Sequence, residues 1–434
     1  MRARLAGSRG YVTLGGKGGV FLSSLLSPRR FGLSALRHRD FALLFSGTIV
    51  SHSGDLLQSM AQSWLVFQLT GSAAKLGLTG FCQLIPRLVL GAVGGVFVDR
   101  FDRRRLLLVT QTAAMLQSIL FWALVVTHRI TFGEILALTV VLGVADTLNL
   151  TARHALIPAL VPPGELQAGV ALNSAGMNLT QVIGPSLGGV LLGLVGVSGC
   201  LALNAVSFLG ILGALFAMHW RPRAGDRIRR PVRDELAEGI GYVRRREALW
   251  VPILIAYGVA ALAMAYTRLL PVFATDVLHA GVREYGWLLA APGVGALAAS
   301  LAVAARGRRP GARRRLYLAV ATLVVGLCVF ATSAVIWLSL AALAVVGAAQ
   351  MVFRTTAVAS IHEAVEDSHR GRVISIFLLD YGLWSFGTLW LGILCDTHGP
   401  AFAVLTGALS CLVVTAGIAV VARVRRAGAV LSAR

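Results

Sequence analysis

The residues with the clearest chemical potential lie inside long apolar segments. His52, Asp55, Ser59 and Gln62 fall at positions i, i+3, i+7 and i+10, so a helix places them on one stripe. A charged side chain in hydrocarbon costs at least about 2.5–3.5 kcal/mol on insertion scales, so it usually faces a partner or a cavity. A buried stripe with a histidine and an aspartate therefore predicts proton uptake and substrate contact.

Further charges lie in the same half of the chain. Asp146 shares a helix face with Asn149 and Arg153, and Arg87 is the one charged residue in the apolar run 76–98. We expect Asp55 and Asp146 to be the proton-coupling residues, with Arg87 offsetting the charge of Asp55. A purely structural ion pair between Asp55 and Arg87 is the alternative.

The second half of the chain carries a comparable set of candidates. Tyr257 and Arg268 share a face of one apolar segment, and Asp380 and Trp384 share a face of another. We expect these side chains, together with His52, Ser59, Gln62 and Asn149, to line a substrate cavity. Simple packing is the alternative for Tyr257 and Trp384.

Membrane-spanning helices must position these residues. The chain has 434 residues, of which 56% are hydrophobic and 14% are charged, whereas a soluble domain carries about a quarter charged residues. A span needs about 20 mainly apolar residues, and no alternating barrel pattern is present. The sequence predicts an all-α membrane protein with twelve transmembrane helices, at roughly 41–69, 76–98, 106–127, 131–155, 166–192, 197–220, 250–275, 284–305, 316–333, 335–361, 371–395 and 400–422.

The basic residues predict the orientation of these helices. The net charge is +21, and 35 of the 40 lysines and arginines lie in or beside the two termini and alternate loops. The other loops contain Lys75, Arg129 and Arg283. By the positive-inside rule both termini are cytoplasmic, and the basic surplus indicates contact with lipid rather than nucleic acid. Arg153 and Arg354 lie near cytoplasmic span ends, where we expect them to snorkel.

The longest charged interruption divides the chain into two halves. At an offset of 203 residues, Gly184 superposes on Gly387 and Gly189 on Gly392, which predicts two pseudo-symmetric halves. The predicted regions are a basic cytoplasmic tail over 1–40, a six-helix half over 41–220, a cytoplasmic linker with an amphipathic helix over 221–249, a second six-helix half over 250–424 and a cytoplasmic tail over 425–434.

Two further segments differ from an ordinary apolar span. A dense charge cluster between two apolar runs forms a helical hairpin at one membrane face, with Gly95, Asp99, Arg100, Arg103 and Arg104. The small residues of the fifth predicted span let helix backbones approach closely. They predict an interface that rearranges, with a static crossing as the alternative, at Gly184, Pro185, Gly188 and Gly189.

Several of these motifs resemble the multidrug and siderophore exporter branch of the major facilitator superfamily, which includes enterobactin exporters and macrolide efflux proteins. They are Ser53-Gly-Asp55, Trp64–Ser72, the Asp99–Arg105 hairpin, Thr151–Pro158, Ala171–Ser174, the Gly184-Pro185 and Gly188-Gly189 pairs, and Glu235–Val243. The resemblance implies two parallel six-helix repeats with substrate bound between them. It also implies that the hairpin gates the cytoplasmic side through Gly95, Asp99, Arg100, Arg103 and Arg104, with Asp99 as the locking residue. The Gly-Pro surface is implied to take part in antiport.

Together these patterns predict a proton-coupled exporter of amphipathic drugs, siderophores or secondary metabolites in a bacterial plasma membrane. We expect a monomer that contacts lipid, a small-molecule substrate and protons. No cofactor, metal site or catalytic residue is predicted, because the five cysteines are scattered and no nucleophile–base set is present. An importer or uniporter of a polar metabolite, or a membrane sensor without transport, is the alternative. The interior charges nearly cancel, so they do not predict the charge of the substrate.

Overall fold

The fold comes from a computed structural model that describes residues 33–98, 102–219, 232–306, 311–366, 369–377 and 379–432. The predictions for Asp99 and Arg100 lie outside these residues, as do those that concern the packing of Gly95 and Pro185. The described residues form helices and no strand.

The helices follow the apolar segments of the sequence. They are α1 (Arg39–Thr70), α2 (Ala73–Val98), α3 (Arg103–Val126), α4 (Phe132–Leu160), α5 (Leu166–Ala217), α6 (Val232–Arg245), α7 (Glu247–Gly258), α8 (Val282–Arg306), α9 (Ala312–Thr332), α10 (Ile336–Ala364), α11 (Arg370–Phe377), α12 (Asp380–His398) and α13 (Pro400–Ser432). After α7, the chain continues through irregular helical turns to Val277. α13 runs past the predicted last span, 400–422, to Ser432.

Several of these helices are suited to a bilayer. Within the described part of the chain, eight helical segments are long and apolar enough to cross a membrane. The predicted all-α membrane class is therefore confirmed. The count of twelve spans stays a prediction. The eight segments are Arg103–Val126, Phe132–Leu160, Leu187–Ala217, Glu247–Val277, Val282–Val303, Ala312–Thr332, Ile336–Ala364 and Pro400–Ala427.

The two ends of the helical bundle differ in charge. We call the end where α1 meets α2, α3 meets α4 and α12 meets α13 the arginine-poor face. The opposite end, where α2 leads to α3 and α8 leads to α9, is the arginine-rich face and carries the runs Arg103–Arg105 and Arg313–Arg315.

Polar side chains define the starts of α3 and α4. The Asp102 side chain accepts hydrogen bonds from the backbone N–H groups of Arg104 and Arg105, at 2.8 and 3.1 Å. Thr131 and Glu134 form a reciprocal capping box at the start of α4. Such caps satisfy N–H groups that have no partner inside the helix. Asp102 therefore has a structural role at the hairpin.

α5 consists of two arms that meet at Gly196. The φ angle of Gly196 is +66°, a backbone conformation that glycine adopts without the strain a Cβ would cause. The first arm packs tightly on α1, because Cβ atoms added at Gly184 and Gly188 would lie 2.7 Å from Leu56 Cδ1 and Met60 Sδ, respectively. Both glycines thus serve contacts within the first half of the chain.

The two halves touch along two helix pairs near the arginine-poor face. A Cβ added at Gly189 of α5 would lie 2.2 Å from the Cα of Gly286 in α8. A Cβ added at Gly77 of α2 would lie 2.3 Å from the carbonyl oxygen of Thr388 in α12. Small residues at such crossings permit backbone contact. Gly189 is therefore the predicted fifth-span glycine that faces the other half.

The linker helix α6 packs on the second half of the chain. Arg372 donates a hydrogen bond to Glu238 at 2.6 Å. Arg246 donates to Glu366 at 2.6 Å, and this bond lowers the pKa of the Glu366 carboxyl below its ordinary value. The Tyr242 hydroxyl also accepts from the Glu366 backbone N–H at 3.1 Å. The second half thus provides the partners of α6 at the arginine-rich face.

We predict opposite effects for two neighbouring alanine substitutions in α5. Gly189→Ala places a methyl group against the Gly286 backbone and should destabilise the protein by about 1–3 kcal/mol, as overpacking usually does. Gly193→Ala is the matched control, because its Cβ would lie 3.8 Å from Arg283 Cβ, an ordinary contact distance. It should leave stability unchanged or raise it by about 0.5–1 kcal/mol through helix propensity. Equal melting temperatures of the two variants in detergent would contradict the assigned contact.

Candidate functional site

The first half contains a half-buried ion pair between α2 and α4. Arg87 Nη2 lies 4.0 Å from Asp146 Oδ2. Arg87 was expected to offset the charge of Asp55. The structure places its guanidinium closest to Asp146, and its charge acts on Asp55 as well. The reason is helix packing: α2 lies along α4, and a Cβ added at Gly143 would sit 2.6 Å from the carbonyl oxygen of Gln83. The close crossing brings Arg87 beside Asp146 rather than beside α1.

Arg153 also belongs to this interior cluster. Its side chain is only 7% exposed, so the expectation that it snorkels to the membrane surface was wrong. It lies seven residues after Asp146, and two helical turns keep both side chains on one face of α4. The charge of Arg153 acts on Asp55, Asp146 and His52. Two carboxylates, two guanidinium groups and an imidazole therefore interact inside the first half.

We call these five residues, His52, Asp55, Arg87, Asp146 and Arg153, the acid–base cluster. Asp55 lies on α1 and faces the second arm of α5, where the Asn204 side chain interacts with its carboxylate. Some polar atoms in and beside the cluster are buried and have no hydrogen-bond partner among the described residues: His52 Nε2, Asp55 Oδ1, Arg87 Nε, Asn149 Nδ2 and Arg153 Nε. An unsatisfied buried polar atom costs about 1–3 kcal/mol. Such a concentration of unsatisfied polar atoms is typical of a binding site rather than of a fully hydrogen-bonded core.

A neutral hydrogen-bond network lies beside the cluster. Gln62 donates to Thr139 of α4 at 2.7 Å and is buried within the first half. Gln58 accepts from Asn204 at 2.9 Å and donates to Gln117 of α3 at 3.2 Å. Gln58 was missed from the sequence, although its position three residues after Asp55 places it beside that residue on the helix.

Arg268 joins the two halves of the chain. Its Nη1 donates to Ser63 Oγ at 3.1 Å and approaches Ser59 Oγ at 3.5 Å, while its Nη2 donates to Gln83 Oε1 at 2.5 Å. Arg268 follows α7 in the second half, whereas the three acceptors lie on α1 and α2. The predicted cavity residues Ser59 and Arg268 are thus brought together. Ser63 and Gln83 were not predicted.

The second half has its own ion pair. Arg354 Nη1 donates to Asp380 Oδ2 at 3.2 Å, and Asp380 is buried. Arg354 was expected to extend to the membrane surface, but its guanidinium group contacts the Asp380 carboxylate instead. Tyr257 donates its hydroxyl hydrogen bond to the Ile376 carbonyl, which gives it a structural contact. The indole nitrogen of Trp384 is buried and has no hydrogen-bond partner among the described residues.

A second contact between the halves lies closer to the arginine-poor face. Asp396, in the last turn of α12, accepts hydrogen bonds from Ser72 Oγ and from the backbone N–H groups of Ala73 and Ala74, at 2.5, 2.6 and 3.0 Å. The carboxylate caps the N-terminus of α2, where a negative charge is also favoured by the helix dipole. Sequence reasoning missed Asp396, although a lone acid at the end of an apolar segment was a usable signal.

The hairpin at the arginine-rich face is partly described. Arg104 Nε donates to the Leu215 carbonyl at 2.8 Å, and Arg104 Nη2 donates to the Phe216 carbonyl at 3.1 Å. These carbonyls end α5 and have no helical partner, so Arg104 satisfies them. Arg104 is therefore bonded within its own half. The gating roles of Gly95, Asp99, Arg100, Arg103 and Arg104 stay predictions.

We predict that loss of the Asp396 cap opens the arginine-poor face. Asp396→Ala removes the acceptor and should weaken the contact between the halves by about 0.5–2 kcal/mol, a typical capping energy. In a variant without native cysteines, spin labels at positions 75 and 397 should report a larger distance, with the closed population reduced about 2- to 30-fold. Asp396→Asn retains an acceptor oxygen and should give an intermediate result.

Asp276→Ala is the control for this prediction. Asp276 is exposed near the same face, and its side chain accepts from the neighbouring Thr275 hydroxyl at 2.7 Å. It should leave the label distance unchanged. A wild-type distance distribution in Asp396→Ala would mean that the cap does not hold the halves together.

Solved structures share this architecture. An inward-facing bacterial homologue of the human lysosomal transporter Spinster matches with a TM-score of 0.66 at 14% identity, over 89% of this chain and 95% of that one. An inward-facing bacterial homologue of the iron transporter ferroportin gives 0.65 at 17% identity, over 88% and 98%. At these identities the matches establish the fold alone.

Sequence comparison gives the family. Residues 31–433 match the profile of a family described as transmembrane secretion effectors. The Staphyloferrin A transporter of Staphylococcus aureus is 23% identical over 82% of this chain and 89% of its own length. The multidrug efflux pump Tap of Mycolicibacterium fortuitum is 26% identical over the same shares. The macrolide efflux protein A of Streptococcus pyogenes is 21% identical over 55% and 60%. The chain belongs to the transmembrane secretion effector family of the major facilitator superfamily.

Proposed function

We propose that this protein is a secondary active transporter that exports amphipathic small molecules by proton-coupled alternating access. It would act in a bacterial plasma membrane as a monomer with twelve spans and both termini in the cytoplasm. The names of its relatives, which specify a siderophore transporter, a multidrug efflux pump and a macrolide efflux protein, support export of such molecules.

The acid–base cluster carries the proton-coupling proposal. Asp55 and Asp146 together balance Arg87 and Arg153, so binding of one proton changes the net charge of the cluster by one. Inside a protein, charges a few ångströms apart interact several times more strongly than in water. The change would act on α1, α2 and α4 together, because each of them contributes a charged member. Asp55 is the better proton acceptor of the two, since Arg87 contacts Asp146 directly.

The contacts between the halves support alternating access. The cross-half hydrogen bonds given for the described residues lie at mid-depth, as at Arg268, or nearer the arginine-poor face, as at Asp396. Trp64 of α1 also stacks on Tyr285 of α8 at 5.2 Å. We propose that these contacts close the outer side while substrate enters from the cytoplasm. Their release would then open the outer side for export.

We predict that Asp55→Asn uncouples transport from protons. In everted membrane vesicles acidified inside, wild-type protein should release protons when supplied with at least one of three amphipathic probes: erythromycin, ethidium or fusidate. Asp55→Asn removes the proton-binding carboxylate at nearly constant volume and should reduce this proton flux by about tenfold or more, a barrier change of about 1.4 kcal/mol.

Asp276→Asn serves as the matched control, because it neutralises an exposed aspartate near the arginine-poor face. It should retain the wild-type flux. Wild-type flux in Asp55→Asn would refute the assigned coupling residue. Absence of flux with all three probes in the wild type would favour a sensor or an importer.

A further inference from the structure

One interior charge lacks, among the described residues, the partner of opposite charge that others have. Several charged side chains in the interior of the described helices lie close to a charge of opposite sign. These contacts are Arg87 with Asp146 at 4.0 Å, Arg354 with Asp380 at 3.2 Å, and Arg153 within the electrostatic reach of Asp55 and Asp146. Arg268 is different, because the described residues supply it with no carboxylate partner.

The partners of Arg268 are all neutral. Its three acceptors are the hydroxyl oxygens of Ser59 and Ser63 and the amide oxygen of Gln83. A guanidinium has five N–H donors in a planar fork that fits a carboxylate with two parallel hydrogen bonds. A charge in the interior without a counter-charge costs several kcal/mol. Neutral oxygens satisfy part of its hydrogen bonding but leave its charge uncompensated.

The position of Arg268 suits a ligand that enters between the halves. Gln83 lies ten residues after the start of α2, about 15 Å from the arginine-poor end of that helix and near mid-depth. The Arg268 side chain is partly exposed, so it is not sealed in the packing. A Cβ at Gly80 would lie 3.3 Å from Arg268 Nε, so the absence of a side chain there gives the guanidinium room.

The backbone at Arg268 is irregular. The chain passes from α7 through a π-helical turn, Val259–Ala263, into a 3-10 turn, Met264–Leu269, which carries Arg268. Such changes of helix type within a span often mark functional hinges or ligand sites. The irregular turn therefore points to the same place as the uncompensated charge.

We propose that Arg268 binds the carboxylate of an amphipathic substrate, so that the protein exports amphipathic organic anions. This proposal rests on the proposed transport function and specifies its substrate class. The carboxylate forms a bidentate pair with the guanidinium, which is stronger than the bonds to Ser63 and Gln83 that it replaces. Those bonds connect the two halves, so the substrate loosens their contact as it binds.

Equilibrium binding in detergent, without a proton gradient, tests this assignment. The probes are four amphipathic carboxylates of different skeleton, including fusidate, each compared with its uncharged methyl ester. Wild-type protein should bind at least one acid about tenfold or more tightly than its ester, equivalent to about 1.4 kcal/mol. Arg268→Gln retains an N–H donor but no charge. It should weaken binding of that acid at least about tenfold and leave the ester unchanged.

Two further variants separate a binding role from a structural role. Arg268→Lys keeps the positive charge and should retain part of the preference for the acid, although it loses the bidentate fork. Arg283→Gln removes one positive charge at the exposed end of α8, where Arg283 lies 5.2 Å from the Trp287 ring centre. It should keep the full preference, because the carboxylate contacts Arg268 and not the overall charge of the protein.

Three outcomes would overturn the proposal. They are the absence of any acid preference in the wild type, an unchanged preference in Arg268→Gln, and equal weakening of acid and ester in that variant, which would make Arg268 only a lock between the halves. The assay also stands apart from the test of proton-coupled export. A preference for the acid without proton flux would support the Arg268 site and refute proton-coupled export. Proton flux without a preference for the acid would support proton-coupled export and refute the Arg268 site.

Discussion

The cost of holding charge away from water organises this structure more than any other constraint. An ionised side chain in a low-dielectric interior needs an opposite charge and hydrogen bonds, or it destabilises the fold by several kcal/mol. Arg87 and Asp146 supply each other with the opposite charge between α2 and α4, and Arg354 and Asp380 do so in the second half. Because both pairs are internal to a half, each half can move without leaving its own ion pair unmatched.

The contacts between the halves follow a different principle. They depend on close backbone approach and on neutral or capping hydrogen bonds, as at Gly189 with Gly286 and at Asp396 with the start of α2. Each of these is worth about a few kcal/mol at most. Because each contact is weak, the interface between the halves can separate and reform. A buried ion pair across this interface would instead cost several kcal/mol to break.

Much of this arrangement could be predicted from the sequence, but the partners could not. Apolar run lengths placed the helices, and helical periodicity correctly put Asp146 and Arg153 on one face of α4. Periodicity says nothing about which neighbouring helix a face meets, so Arg87 was assigned to Asp55 instead of Asp146. The burial of Arg153 was missed for a related reason. Its nearness to a span end suggested the membrane surface, while the face it shares with Asp146 decided its position.

The same two helices carry the acid–base cluster and the contacts of Arg268. On α1, Ser59 lies one turn beyond Asp55, and on α2, Arg87 lies one turn beyond Gln83. On α1 the intact hydrogen-bond ladder makes this turn shift or rotate as a unit. On α2 the turn contains Pro86, which has no backbone N–H for the ladder, so the helix can bend between Gln83 and Arg87. Release of Gln83 by Arg268 can therefore move the start of α2 without separating Arg87 from Asp146. The short mechanical route between substrate binding and the proton-binding residues runs through α1, where Ser59 and Ser63 contact Arg268 and Asp55 belongs to the acid–base cluster.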